Sequence, residues 1–127
     1  VKAFDDGVEH ADLWPNAHTM AAGIRVPAAV GDFLILRAVR QSGGFAIAVD
    51  EDAIFAARDD MAQNGGLLLC PEGAATYAAW KAAVADGRIG AQDRSILFNC
   101  ATGLKYPMPT AGTSLDRHQP IDYGAMA

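Results

Sequence analysis

The chain has 127 residues, of which 51% are hydrophobic and 20% charged, so it can bury one core and falls within the usual span of a single domain. A net charge of −5 with scattered lysines and arginines disfavours nucleic acid and acidic membranes as partners. Two cysteines do not make a disulfide scaffold, no apolar run is long enough to span a bilayer, and a reduced, cytoplasmic setting is expected.

In chain order, Thr19-Met20-Ala21-Ala22-Gly23-Ile24-Arg25-Val26-Pro27 reads as a loop leading into a helix over Ala28 to Gln41, with Val30, Phe33, Leu34 and Ala38 on its apolar face. Ser42-Gly43-Gly44 follows a helix and precedes a strand, the reverse of a phosphate cradle, and reads as a C-cap and turn. Phe45 to Val49 is a short apolar run that predicts a strand. Asp50 suits an N-cap, with Glu51 and Asp52 in the first turn of a helix whose Ile54, Ala57 and Met61 share a face. Asn64-Gly65-Gly66 stops that helix.

The pattern repeats downstream. Gly66 to Leu69 predicts a second strand, and a helix follows from Pro71 or Glu72 to Ala85. Its Ala75, Ala78, Ala79 and Ala82 make a small-residue face, and Asp86-Gly87 ends it. Ser95 to Phe98 predicts a third strand, and the tail from about residue 108 reads as irregular. Strands alternating with helices give an α/β class, a three-layer αβα sandwich with a largely parallel sheet. Three strands leave such a sheet poorly covered, so a partner segment or chain is expected.

The residues most able to carry chemistry follow the second and third strands. Asn99-Cys100-Ala101-Thr102-Gly103-Leu104-Lys105-Tyr106-Pro107 places small polar side chains where a strand leaves the sheet edge, the usual ligand position in open α/β folds. Together with Cys70-Pro71-Glu72-Gly73-Ala74-Ala75-Thr76, it resembles the C-terminal part of threonine synthase, a fold type II pyridoxal-phosphate enzyme of the tryptophan-synthase β-like group. The resemblance implies that residues 1–127 form the C-terminal portion of the large cofactor-binding domain. It also implies that the N-terminal part of the enzyme is a missing partner and that the assembly is a homo-oligomer. The implied reaction is a lyase reaction of threonine biosynthesis, converting O-phospho-L-homoserine and water to L-threonine and phosphate. A cysteate synthase or threonine dehydratase is the neighbouring alternative, and a non-catalytic α/β module the alternative from another class.

Read as bare residues, Cys100 is a small buried hydrophobe and Glu72 an acid favoured by the helix dipole. Read through the resemblance, the cofactor-binding residues are Cys100 or Thr102 at the ring nitrogen, Val26 and Pro27 on its face, and Glu72 at the helix start. The family's cofactor-bearing lysine lies in the N-terminal half, and neither Lys81 nor Lys105 matches it, so no catalytic residue is assigned here. No metal site is expected, since neither cysteine has a histidine or cysteine near it in sequence.

Overall fold

The computed structural model describes residues 1–107 and 116–126. Four α-helices run in chain order: α1 (Lys2–Asp5), α2 (Asp32–Gln41), α3 (Glu51–Asn64) and α4 (Pro71–Ala85). Three 3₁₀ turns accompany them at Ala22–Ile24, Gly103–Lys105 and Tyr123–Met126. Of the predicted tail, residues 108–115 and 127 lie outside the described residues.

The two long helices form where local signals are strong. Asp50 caps α3 from an extended conformation, its carboxylate accepting the Ala53 N–H at 2.8 Å. The helix closes with Gly65 N–H on the Met61 carbonyl, and Gly66 then takes a φ of +67°, which turns the chain away at no Cβ cost. α4 begins at Pro71 with Cys70 as N-cap, and Asp86 follows its last residue. α2 starts four residues later than expected: Ala28 to Gly31 remain a turn, and Asp32 enters the first helical turn.

Helices α3 and α4 pack against each other around a small core of Ile54, Leu69, Ala74 and Ala75, with Val49, Met61 and Tyr77 against it. The expected alanine face is rotated: Ala74, Ala75, Ala78 and Ala83 are buried, whereas Ala82 is exposed. Beside the core, Asp60 of α3 accepts from Lys81 Nζ at 2.9 Å and Tyr77 Oη at 3.0 Å on α4, and from Asn64 Nδ2 at 2.8 Å. The amino-terminal segment is tied to α2, where Arg40 donates to the Ala3 and Val8 carbonyls and Asp32 accepts the Ala11 N–H.

The expected sheet is not formed by the described residues. Segments 45–49, 66–69 and 95–98 contain no strand, and an isolated antiparallel bridge between Leu69 and Thr102 is the pairing found there. A ladder is a property of two segments: among the described residues 45–49 and 95–98 lack a pairing neighbour, and 66–69 has only the short contact with Thr102 and Gly103. Ile96 and Phe98 are accordingly 98% and 79% exposed. The expected face of α2 is likewise open, with Val30 96% exposed and Leu36 as its buried residue.

Candidate functional site

The chemistry-bearing residues converge at the amino end of α4. Cys70 is wholly buried at the N-cap, and its Sγ accepts the Gly73 N–H at 3.3 Å. The Leu69–Thr102 bridge, with the Gly103 N–H on the Leu68 carbonyl at 2.9 Å, brings residues 99–103 alongside. That alignment puts Cys100 Sγ 3.8 Å from Cys70 Sγ, and Cys70 donates to Asn99 Oδ1 at 3.5 Å. Gly103 is required for the approach: a Cβ there would sit 2.6 Å from the Leu69 carbonyl oxygen, which is backbone and cannot swing aside.

Glu72, on the first turn of α4, is buried, and both its carboxylate oxygens are hydrogen-bonded. Its Oε1 accepts the Gly23 N–H at 2.6 Å, and the Tyr106 hydroxyl donates across both carboxylate oxygens at 2.9 and 2.8 Å. Burial pushes its pKa up, but hydrogen bonds from its own amide, Gly23 and Tyr106 outweigh that and hold the carboxyl below its ordinary value. The same pairing drives the Tyr106 hydroxyl up to about 12, so it remains a donor. For Cys70, desolvation pushes the thiol pKa up, and neighbouring Glu72 and Cys100 add to the rise.

Glu51 repeats the device on α3, accepting the Met20 N–H at 3.1 Å. Two first-turn glutamates, Glu51 and Glu72, thus fasten the Thr19–Ile24 segment across the helix pair. The bare reading of Glu72 as a dipole-favoured acid accounts for its position but not for this tether. Asn99 and Tyr106 were within the quoted motifs but carried no signal of their roles, because their partners lie 29 and 34 residues away.

Of the five predicted cofactor residues, the structure gathers Cys100, Thr102 and Glu72 and leaves Val26 and Pro27 elsewhere. The latter two line a cleft with Asp12, Trp14 and Pro15, where the Pro27 carbonyl accepts the Trp14 N–H at 2.9 Å. Cys100 is exposed rather than a core hydrophobe, and with Leu68, Asn99 and Thr102 it borders an open cavity of about 520 Å³. Thr102 Oγ1 accepts the Leu104 N–H at 3.3 Å, which leaves the hydroxyl proton free to donate. Lys81 is committed to Asp60.

This arrangement is a helix N-terminus facing a loop that carries thiol and hydroxyl groups. Residues 2–101 match the family described as pyridoxal-phosphate dependent enzyme, and the chain belongs to it. Its cofactor is pyridoxal 5′-phosphate. Within that class the chain is similar to two archaeal threonine synthases. It is 33% identical over 107 residues to that of Methanosarcina acetivorans and 30% identical over 107 residues to that of Methanocaldococcus jannaschii. Each alignment covers 84% of this chain and 26% of the relative, so the chain spans about a quarter of their length. No helix among the described residues is long and apolar enough to cross a membrane.

The residues present fit one edge of the cofactor. An exposed thiol and a hydroxyl with a free proton, on a cavity roomy enough for an aromatic ring, suit a pyridine nitrogen that is to be hydrogen-bonded without a fixed countercharge.

Proposed function

We propose that this chain forms part of a threonine synthase, converting O-phospho-L-homoserine and water to L-threonine and phosphate by elimination and addition. The observation carrying the reading is the exposed thiol of Cys100 beside the α4 N-terminus, on a segment reading Cys-Ala-Thr-Gly-Leu-Lys. The likeness to the two archaeal synthases supports it. Bound pyridoxal phosphate supplies the electron sink for the bonds broken at the substrate.

The chain's own residues act around that sink. Cys100 offers the ring nitrogen a neutral partner, with Thr102 the second candidate. Glu72, held ionised by Gly23 and Tyr106, fixes the Thr19–Ile24 segment so that the cavity keeps its shape without placing a carboxylate on the ring nitrogen. In this reading, chain beyond the matched quarter carries the cofactor-bearing lysine and the phosphate-binding loop, and covers the open apolar surface.

The test is phosphate release from O-phosphohomoserine by the full-length protein, with 2-oxobutyrate formation from threonine as the dehydratase control. Cys100→Ser is expected to retain much of the activity and Cys100→Asp to lose it, because a carboxylate would hold the ring nitrogen protonated. A Cys100→Asp enzyme that turns over like the parent while Thr102→Ala fails would transfer the role to Thr102.

A further inference from the structure

Cys70 and Glu72 open α4, and Cys100, 30 residues beyond Cys70, meets them in space. One ligating atom from each falls within 4.8 Å of the other two. We propose that these three side chains form a binding site for a thiophilic divalent cation of the zinc class, with a water completing the coordination.

The sulfur spacing carries the inference. Two thiolates bound to zinc at about 2.3 Å and the tetrahedral angle stand about 3.8 Å apart. Cys70 and Cys100 Sγ are 3.8 Å apart. Zinc-bound oxygen and sulfur sit roughly 3.5 Å apart on the same geometry, so a carboxylate oxygen that lies within 4.8 Å of both sulfurs closes the site by a shift of little more than an ångström. The third ligand is already aimed. Gly23 and Tyr106 hold the Glu72 carboxylate, and a carboxylate with about four lone-pair directions keeps one for a metal. Such outer hydrogen bonds orient ligands in established metal sites.

The surroundings suit a cation loaded with anionic ligands. Cys70 Sγ accepts the Gly73 N–H, and Cys70 and Glu72 stand at the positive end of α4. Cys100 is exposed and gives an ion a way in, while Cys70 is buried and shields it from bulk water. Two sulfurs and one oxygen select zinc, cobalt or cadmium over magnesium or calcium. Binding releases the two thiol protons to solvent and changes no oxidation state.

A metal on Cys100 Sγ leaves Thr102 as the ring-nitrogen partner in the reading above, and the readout here is the metal itself. Cobalt(II) titrated into the reduced full-length protein should produce a thiolate-to-metal charge-transfer band saturating at one equivalent. Zinc should bleach that band and magnesium should not. Cys100→Ser, at an exposed position that does not endanger folding, should abolish the band, as should Cys70→Ser. Tyr106→Phe keeps all three ligands and should weaken binding about tenfold, as loss of an outer partner does in metal sites. A reduced protein with both thiols titratable and no charge-transfer band would overturn the proposal. So would a band that survives in Cys100→Ser.

Discussion

At the scale of single residues, Glu72 decides more than its small exposed area suggests. It is the acceptor for two partners that reach α4 from opposite directions in the chain, Gly23 from upstream and Tyr106 from downstream. Replacing it by Gln leaves a neutral acceptor against the Gly23 amide and should cost about 1–3 kcal/mol, read as a lower midpoint in urea unfolding. Because its folded pKa is depressed, its contribution is present above the unfolded value and disappears as pH falls through the folded one. The gap between parent and Glu72→Gln should therefore be widest near neutral pH, narrow once pH falls below the unfolded value of 4.5, and vanish below the lower folded value. A gap that stays constant down to acid pH would show that packing, not charge, makes the contribution. Gly103→Ala acts on the same cluster from the other side. Its new methyl meets the Leu69 carbonyl, so the bridge to Thr102 must open, at about 1–3 kcal/mol. In that variant a bifunctional thiol reagent should cross-link Cys70 to Cys100 more slowly than in the parent.

At the scale of elements, what could be read from the sequence was whatever depends on neighbours within a turn or two. The Asp50 cap, the Gly65-Gly66 stop, Pro71 at the helix start and the α4 terminus all follow from local hydrogen bonding, and all lie where they were expected. The strands at 45–49, 66–69 and 95–98 were read from the same kind of local pattern, but a strand exists only with a partner, and the described residues supply none beyond the Leu69–Thr102 bridge. The site divides in the same way. Cys100, Thr102 and Glu72 were legible because their motif was, whereas the Cys70–Cys100 approach, across 30 residues, was not. Val26 and Pro27 were placed by motif too, yet the backbone carries them to the Trp14 side. The α3–α4 pair offers a direct check on element-level coupling. Asp60 holds Lys81, Asn64 and Tyr77, and hydrogen bonds from those three, Lys81 first, lower its pKa to about 2. Asp60→Ala should lower the melting temperature and speed amide exchange in the Tyr77–Lys81 stretch of α4. The depressed pKa means that the difference from the parent persists above the unfolded value of 3.8 and fades as pH falls toward about 2.

At the scale of the whole molecule, the open question is what covers the apolar surface. Val30, Leu34 and Ile35 on and before α2, Leu13 and Trp14 in the amino-terminal segment, and Ile96 and Phe98 in the unpaired run are all more than half exposed. Scattered apolar side chains are normal on a protein surface, but unpaired extended segments with outward-facing Ile and Phe are edges that another chain can extend. The helix pair has its own small core and capped ends, so it should hold helical structure alone, while segments 45–49 and 95–98 gain their ladder only from additional strands. A polypeptide of residues 1–127 should therefore show helical circular dichroism, bind a hydrophobic dye and self-associate with rising concentration. It should also release no phosphate from O-phosphohomoserine, because Lys81 is committed to Asp60 and the resemblance to threonine synthases implies a cofactor-bearing lysine in the N-terminal half, which neither Lys81 nor Lys105 matches. Co-expression with the N-terminal part of a related synthase should suppress dye binding and bring amide protection to residues 45–49 and 95–98 before it restores any turnover. The ordering matters because strand pairing needs only backbone complementarity, whereas turnover also needs the cofactor and both halves of the site in register. A monodisperse, dye-silent monomer of residues 1–127 with a single cooperative melt would contradict this, and would mean that the exposed apolar residues are ordinary surface in a self-sufficient helical domain.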